Sequence, residues 1–345
     1  MKPNRLHIHP FRTTKTFNPQ KDMNISVALA THDGSTHLKK QIESLLAQTL
    51  PPMEIIISDD GSTDGTCDIL EQYNQNHATI RIISSKIQGI NTNFQNAVSS
   101  CNGDYIALCD QDDIWETDKL EKLAAHCTEK TLLLYGKSIL IDGKGKKLQI
   151  KAEKYLGFNT CRSGHIPLYF IFSNCVSGHA MMISRKLIDS ALPFVDNCIY
   201  DHWLALIAAS KSDIVYVADA ITYHRIHDNN ATNNREKNSA QKRTTIKPSK
   251  VKRYHMQQTA FVLRLKKALS EGTGLSPVER KYLTCLLNHI SRNEHRFFNF
   301  RLAFLLLQKR DQLFHGNPLR ECRNRALGRK YYRLLDSLSK RQETD

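Results

Sequence analysis

Long apolar runs are missing from this sequence. No stretch approaches the ~18 apolar residues of a membrane span, and the longest candidate, Leu302 to Leu307, is flanked by Arg301 and by Lys309-Arg310. The first 22 residues also lack the apolar segment of a secretory signal. We therefore predict a disordered N-terminal extension at residues 1–22, and Met23, just before the first apolar segment, is a second candidate start codon.

Paired cysteines are missing as well. The nine cysteines include no CxxC pair and no metal-like spacing, and most lie in apolar segments such as Leu108-Cys109-Asp110. This usage favours reduced, buried thiols over a disulfide framework, and it predicts a cytoplasmic protein.

Positive charge is present in excess but is unevenly placed. The chain has 49 Lys and Arg residues against 34 Asp and Glu residues, a formal net charge of +15. From Arg235 to the last residue there are 26 basic and 9 acidic residues, whereas the remainder is close to neutral. This distribution predicts a domain at residues 23–232, a polar linker at 233–250 and a smaller, basic, all-helical region at 251–345.

Apolar segments alternate with helical patterns in the first third of the chain. The predicted strands are residues 25–30, 54–58, 81–84 and 105–109. Four such β-α alternations with right-handed crossovers predict an α/β fold with a mostly parallel central sheet. The second half is less regular, with short strands predicted at residues 132–135, 139–141 and 214–217.

Acidic residues follow two of these predicted strands. One cluster is Asp110-Gln111-Asp112-Asp113 and the other is Ser58-Asp59-Asp60-Gly61-Ser62. Crowded carboxylates repel one another unless a cation neutralises them, and hard oxygen ligands suit Mg²⁺ or Mn²⁺ together with substrate phosphates. Since ligands of parallel sheets bind at the carboxyl ends of the strands, we expect a metal-bridged phosphate ligand here. The alternative is a solvated acidic turn with Asp113 as the N-cap of the next helix.

Together with the strand at 25–30, these acidic blocks resemble glycosyltransferase family 2, whose members have the GT-A nucleotide-sugar fold. The resemblance covers roughly residues 24 to 230. Its most specific parts are the segment 58–66 and the later Asp-Gln-Asp-Asp-Ile-Trp segment at 110–115. The latter form is similar to bacterial rhamnosyltransferase-like members.

The resemblance implies roles for residues at the predicted sheet edge. Asp60 would contact the nucleobase or ribose of the donor, with Thr31 and Asp33 lining the same pocket. Asp110 and Asp112 correspond to the two acids of the DXD motif, with Asp112 as the metal ligand and Asp110 toward the ribose or a metal-bound water.

The resemblance also implies roles for residues further along the chain. His227 would face the diphosphate or the metal, with His224 and Arg225 as alternatives for this role. Gly178 and His179 resemble the acceptor-side loop of the family, and we place them among the donor-binding residues. Asp201, in the segment 200–203 where Tyr replaces the usual Glu, would be the general base, and its alternative role is a helix cap.

The sequence therefore predicts an inverting glycosyltransferase that depends on Mg²⁺ or Mn²⁺. The favoured donors are dTDP-rhamnose and a UDP-hexose, and the acceptor would be a hydroxyl of a surface glycan such as a lipid-linked or lipopolysaccharide oligosaccharide. The basic C-terminal region predicts attachment to an anionic membrane surface, as a peripheral protein on the inner face of the cytoplasmic membrane.

Two alternative functions remain open at this level. A sugar nucleotidyltransferase would use a similar sheet, but that class generally has a basic, Gly-rich loop after the first strand, and residues 31–35 contain neither Arg nor Lys. A nucleic-acid-binding protein would explain the basic region, but that region has no recognised zinc or RNP-type motif, so no nucleic acid is expected.

Overall fold

The structure is a computed structural model that describes residues 23–85, 87–158, 160–227, 249–314 and 317–342. The predicted N-terminal extension lies outside the described residues. So does most of the predicted linker at 233–250, of which only Ser249 and Lys250 are described.

One eight-stranded sheet organises the first part of the chain, with the strand order β3-β2-β1-β4-β7-β6-β8-β5. Its strands are β1 (Ile25–Thr31), β2 (Glu54–Asp59), β3 (Ile80–Ser84), β4 (Tyr105–Asp110), β5 (Ile114–Trp115), β6 (Leu133–Ile141), β7 (Met181–Ser184) and β8 (Ile214–Arg225). The helices between them are α1 (Leu38–Leu46), α2 (Thr66–Asn76), α3 (Ile90–Ser100), α4 (Lys119–Ala125), α5 (Ala152–Tyr155), α6 (Tyr169–Phe172), α7 (Arg185–Ala191) and α8 (Tyr200–Lys211).

The four strands at one side of the sheet are parallel, as the sequence predicts. β1 pairs with both β2 and β4, and β2 pairs with β3. β1, β2 and β4 are apolar and almost fully buried because helices cover both faces of the sheet, whereas the edge strand β3 is partly exposed. Their register aligns Thr31 with Asp59 and Ala30 with Asp110, so both acidic clusters end at the same edge.

The other side of the sheet differs from the prediction. β6 is a single strand rather than two short ones, with a register shift between Gly136 and Lys137. A Cβ atom at Gly136 would lie 2.0 Å from the Ala220 carbonyl oxygen, so only glycine lets β6 and β8 approach here. β8 does not end near Val217 but continues to Arg225, and β7 runs antiparallel to both β4 and β6. The sheet is therefore mixed, although largely parallel.

The C-terminal region is helical, as predicted. Its helices are α9 (Lys250–Glu271), α10 (Pro277–Ser291), α11 (Phe300–Gln308), α12 (Arg310–Leu313), α13 (Pro318–Ala326) and α14 (Arg329–Gln342). Among the helices of the described ranges, none is both long enough and apolar enough to cross a membrane.

These helices share a hydrophobic core with the sheet domain. Leu265 and Ala268 of α9 are buried in one cluster with Leu204 of α8. The Phe172 ring of α6 lies 5.0 Å from the Phe261 ring and 5.2 Å from the Phe314 ring. The basic region therefore packs against α6 and α8 of the sheet domain and is not a detached tail.

Candidate active site

Hydrogen bonds from side chains join the loops that follow β1 and β2. The Thr31 hydroxyl donates to Asp59 Oδ1 at 2.8 Å, and Asp59 Oδ2 accepts from the Gly61 and Ser62 amides. Burial alone would raise the pKa of Asp59, but the hydrogen bonds from Ser62 and Thr31 outweigh it and lower that pKa. Thr31 is only 1% exposed, so its side chain stabilises the pocket wall.

Asp33 connects the same two loops. It adopts a left-handed backbone conformation with φ of 46°, and its Oδ1 atom accepts from the Thr63 amide at 2.7 Å. Its own amide donates to the Ser62 hydroxyl at 2.9 Å. Part of the carboxylate remains exposed at the mouth of the pocket. Hydrogen bonds to its side chain and from its amide therefore hold Asp33 in this sparsely populated conformation.

Asp60 has unused hydrogen-bonding capacity. Its carboxylate is 8% exposed, and Oδ2 accepts from the Gly89 amide at 2.8 Å. Oδ1 is buried and has no hydrogen-bond partner among the described residues. Because buried polar atoms in native proteins are almost always paired, this oxygen is suited to accept an N–H or O–H group of a ligand.

Gln111 was not among the predicted site residues, yet it fixes the position of the β1 loop. Its side-chain amide accepts from His32 N at 2.8 Å and donates to His32 O at 2.9 Å. A Cβ atom on Gly34 would lie 2.3 Å from Gln111 Oε1. Two features of the sequence are signals for this contact: Gln111 lies between two acids, and Gly34 directly follows Asp33.

The three acids after β4 have three different environments. The Asp110 side chain is 34% exposed, and burial, followed by the charges of Asp113 and Asp112, raises its pKa well above the usual range. Asp112 Oδ2 lies 2.7 Å from His227 Nε2. Asp113 is fully buried, where its Oδ1 accepts from His224 Nδ1 at 2.9 Å and from the Arg225 amide at 3.1 Å.

The interpretation of Asp113 as a helix cap is wrong. β5 follows it, and the next helix begins at Lys119. Asp113 instead attaches the end of β8 to the acidic loop, which brings His227 beside Asp112.

His179 and His224 lie beneath this loop. Their rings stack with centroids 4.3 Å apart and 5° between their planes. Burial lowers the pKa of His179, whereas the Asp113 carboxylate overcomes the burial of His224 and raises its pKa to about 9. One ligand atom from each of Asp113, His179 and His224 falls within 4.8 Å of the others. The parallel rings, however, direct their lone pairs into separate planes, so they cannot converge on one metal, and the group forms a buried ion pair.

Two buried bases also face the acidic cluster. Lys119 Nζ donates to the His179 carbonyl oxygen at 3.0 Å and lies 3.5 Å from the Trp115 ring centroid. Arg225 Nε donates to the Asp112 carbonyl oxygen at 2.8 Å. Burial lowers the pKa of Lys119 to about 7, although Asp113 and Asp110 oppose this shift. Lys119, which the sequence does not single out, and Arg225, which was expected at the diphosphate or the metal, therefore both stabilise the acidic loop from its buried side.

The exposed side of the loop has a donor set that fits a divalent cation. Asp112 and His227 are both partly exposed and their ligand atoms converge, with Asp110 nearby. Carboxylate and imidazole donors suit Mn²⁺ or Mg²⁺. Of the three candidates at the end of β8, His227 is partly exposed beside Asp112, whereas His224 and Arg225 are buried.

Asp201 lies in the first turn of α8. The N-cap position belongs to Ile199, so Asp201 is not the helix cap. Asp201 Oδ1 accepts from Asn174 Nδ2 at 3.2 Å. Burial is the main cause that raises the pKa of Asp110, and the Asp201 charge is a smaller contribution to the same shift.

Tyr200 fills the space beside these two acids. It is 4% exposed and stacks on Phe94 with centroids 4.1 Å apart. A Cβ atom on Gly178 would lie 1.9 Å from the Tyr200 hydroxyl oxygen. Gly178 therefore admits the Tyr200 ring, and this explains how Tyr fits beside the predicted base.

Asp201 opens onto a cavity of about 500 Å³ between the sheet domain and the C-terminal helices. Asn174 and Phe172 line it from the first part of the chain, and Phe314, Glu321 and Arg325 line it from the second. A compartment of this size can take a sugar-sized substrate beside the Asp201 carboxylate.

Residues 26–191 match the model of glycosyl transferase family 2. The match covers just under half of the chain, and the predicted class of enzyme, a glycosyltransferase, is confirmed.

The chain is also similar to individual proteins. It is 26% identical over 227 residues to the dTDP-rhamnosyl transferase RfbG of Shigella flexneri, a match that covers 59% of this chain and 72% of that protein. It is 39% identical over 97 residues to chondroitin synthase of Escherichia coli, covering 28% of this chain but only 14% of that protein.

The fold is similar to that of a solved structure. TarS 1–349 of S. aureus in complex with UDP superposes with a TM-score of 0.56 at 15% identity, covering 93% of this chain and 92% of that one. The likeness extends through the C-terminal helices and confirms the predicted GT-A-like fold followed by a helical region.

Proposed function

We propose that this glycosyltransferase is an inverting, metal-dependent enzyme that transfers a hexose or deoxyhexose to a hydroxyl of a surface glycan. The observation that carries the proposal is the Asp112–His227 pair at the end of β4, with the ligand atoms 2.7 Å apart. Beyond burial, the charges of both Asp112 and Asp201 contribute to raising the pKa of Asp110, which supports a common site.

On the donor side, Asp60 supplies the unpaired Oδ1 atom for a nucleobase N–H or a ribose hydroxyl. Thr31 and Asp33 fix the wall around it. Two comparisons support the choice of donor: RfbG is named as a dTDP-rhamnosyl transferase, and TarS was solved with UDP and with UDP-GlcNAc. We therefore propose dTDP-rhamnose or a UDP-hexose as the donor.

Asp112, Asp110 and His227 would hold the Mg²⁺ or Mn²⁺ ion. A divalent cation bound there neutralises negative charge on the diphosphate leaving group. Gly178 and His179 act indirectly, since Gly178 admits Tyr200 and His179 packs under Asp110. These contacts make the acidic loop rigid before the donor binds, which lowers the cost of organising it.

On the acceptor side, Asp201 would act as the general base. The acceptor hydroxyl loses its proton to the Asp201 carboxylate while its oxygen forms a bond to the anomeric carbon. The bond from that carbon to the diphosphate breaks on the opposite face, so the configuration inverts. Asn174 holds Oδ1 of Asp201, which orients the carboxylate toward the cavity.

The acceptor proposed here is a growing surface glycan, including lipid-linked or lipopolysaccharide oligosaccharides. The name of chondroitin synthase supports a polysaccharide product, and the basic helical region supports a location at the inner face of the cytoplasmic membrane. This chain spans only 14% of the length of chondroitin synthase, so the acceptor of that protein is not carried over to this chain.

A donor screen tests the proposed function. The chain would be incubated with dTDP-, UDP- and GDP-sugars in the presence of Mg²⁺ or Mn²⁺, and the released products would be separated. We expect a free nucleoside diphosphate from a dTDP- or UDP-sugar. In a parallel incubation with a nucleoside triphosphate and a sugar 1-phosphate, release of pyrophosphate would instead support the sugar nucleotidyltransferase alternative. Nucleoside diphosphate released only from GDP-sugars would overturn the proposed donor.

A further inference from the structure

Helix α11 exposes an apolar stripe to solvent. Phe297 just before the helix is 49% exposed, and Phe300, Phe304 and Leu307 are 78%, 63% and 37% exposed. We call these four residues the Phe face. Their spacing of three, four and three residues places them on one side of the helix, whereas Leu302 and Leu306 on the other side are fully buried. The helix is thus apolar on both sides. The Phe face stays largely exposed, although the Phe297 ring contacts the Tyr331 ring and the Phe300 ring contacts the Phe298 ring, each edge to face.

Arginines surround the Phe face. Arg292, Arg296 and Arg301 are exposed, and their charges, after burial, lower the pKa of His289. His289 lines an open cavity of about 370 Å³ together with Phe300, Phe304 and Arg301. The three arginines therefore lie within electrostatic reach of this cavity.

Negative charge is scarce at this surface. Between residues 292 and 310 the sequence has one acidic residue, Glu294. Glu294 Oε1 accepts from Arg329 Nη1, so its charge is already engaged. An exposed apolar stripe within a basic rim is the arrangement of helices that lie in the interface of an anionic bilayer.

We propose that the Phe face docks on an anionic lipid bilayer, with its rings at the boundary of the acyl chains and its arginines at the lipid phosphates. A second copy of this chain fits poorly, because facing copies would bring like-charged arginines together. The helix would lie flat on the bilayer because the Phe face runs along one side of it. Its nine residues span about 14 Å. This inference does not depend on the proposed donor, acceptor or metal.

Vesicle binding tests the apolar part of the proposal. The full chain would be mixed with phosphatidylcholine vesicles with and without phosphatidylglycerol, and the bound fraction would be measured by sedimentation. We expect binding to the anionic vesicles and a loss of at least about tenfold in partitioning for the double variant Phe300→Ser/Phe304→Ser. The matched control Ile150→Ser removes an apolar side chain, 53% exposed, from the sheet domain and should bind like wild type.

Charge reversal tests the basic rim. Arg296→Glu/Arg301→Glu should weaken binding to anionic vesicles by at least about tenfold and reduce its dependence on salt. Lys39→Glu/Lys186→Glu makes the same change in net charge at exposed positions of the sheet domain and should have a much smaller effect. Circular dichroism melting and nucleotide release would show that each variant is folded and active.

A tryptophan probe distinguishes insertion from surface attraction. Both native tryptophans, Trp115 and Trp203, are 2% exposed, so a new indole in Phe304→Trp would report its own surroundings. We expect a blue shift on addition of anionic vesicles and quenching by brominated lipids. The proposal is overturned if wild type does not bind anionic vesicles at low salt, if Phe300→Ser/Phe304→Ser binds normally, or if Phe304→Trp is not quenched. A wild-type dimer that Phe300→Ser/Phe304→Ser dissociates, without vesicle binding, would also overturn it.

Discussion

The two proposed sides of the site are built in different ways. We call the loops that follow β1, β2 and β4 the donor edge, and we call the lining of the cavity beside Asp201 the acceptor wall. At the donor edge, short loops after neighbouring parallel strands hold carboxylates in place, as with Asp33 and Thr63. The acceptor wall joins segments far apart in the chain: the Ser173 hydroxyl donates to the Leu313 carbonyl oxygen at a separation of 140 residues. The first is a product of strand register and loop motifs, whereas the second requires the C-terminal helices to be folded onto the sheet domain.

The two sides also differ in charge. The donor edge presents acids that are supported from below by Lys119, His224 and Arg225. The acceptor wall contains an arginine among aromatic rings: the Arg325 guanidinium lies 4.5 Å from the Phe261 ring centroid and 4.9 Å from that of Phe172. We infer that the donor side is organised to hold a cation and the acceptor side to orient a neutral or anionic substrate.

Removing the proposed metal ligand should have the largest effect and should act on the donor side alone. We predict that Asp112→Ala lowers turnover by at least about 10³-fold, because the cation would lose its carboxylate donor beside His227. Metal-dependent nucleotide binding, measured by calorimetry, should be lost while the thermal melt is retained.

Asp196→Ala removes an exposed carboxylate elsewhere on the same domain and serves as the control. Near-normal turnover of Asp112→Ala, or full wild-type activity in excess EDTA, would contradict the metal assignment.

Removing the proposed base should lower turnover without changing donor binding. We predict that Asp201→Asn lowers kcat by about 10²-fold or more, because the amide keeps the shape but cannot take the proton. The donor dissociation constant should stay unchanged. Loss of donor affinity with an unchanged rate at saturation would make Asp201 a binding group, and a retained anomeric configuration in the product, read by NMR, would exclude single displacement.

The donor edge was largely predictable from the sequence for a physical reason. Parallel strands end at a common edge, so acids directly after β2 and β4 must lie together, and the structure brings Asp60, Asp110 and Asp112 to that edge. Gln111 was missed because its partner is a backbone segment 79 residues away. Lys119 was missed because its sequence context resembles an exposed helix start, although the side chain is buried.

The acceptor wall was less predictable. Asp201 was found only through the family resemblance, and its surroundings were not found at all. Glu321 and Arg325 look like members of a solvated basic helix, since nothing local shows that they line a cavity with Phe172. The unequal charge of the two regions predicted separate domains. Charge gives no information about apolar contacts, such as those of Leu265 with α8.

The next-largest effect concerns the contact that joins α8 to α9. His202 Nε2 donates to the Phe170 carbonyl oxygen at 2.7 Å, and Arg264 Nη1 lies 3.0 Å from His202 Nδ1. Burial and then the Arg264 charge lower the pKa of His202 to about 3. Between this value and the unfolded value of about 6.5, the unfolded state binds the extra proton. The contribution of His202 to stability is therefore complete above about pH 6.5 and is lost as the pH falls toward 3.

We predict that His202→Gln reduces the acid dependence of the free energy of unfolding by about 2 kcal/mol between roughly pH 6.5 and 5. Urea unfolding at a series of pH values measures it. His126→Gln, which changes an exposed histidine, should keep the wild-type slope. If the His202→Gln slope also equals that of wild type, the neutral His202–Arg264 contact does not set the acid stability of the junction.

The smallest effect should come from the acceptor wall itself. Arg325 Nη2 lies 3.3 Å from Glu321 Oε2, and both residues line the cavity beside Asp201. Arg325→Met keeps much of the apolar stem that packs against the Phe261 and Phe172 rings but removes the guanidinium and its hydrogen bonds. We predict that KM for the acceptor rises about fivefold, corresponding to about 1 kcal/mol, while the donor dissociation constant and kcat change little. Arg323→Met, on an exposed position of the same helix, is the matched control, and Glu321→Gln tests the same wall if Arg325→Met is unstable. Equal losses of donor and acceptor affinity would show that Arg325 supports the fold of the whole site, and the separation between donor edge and acceptor wall would then fail at this residue.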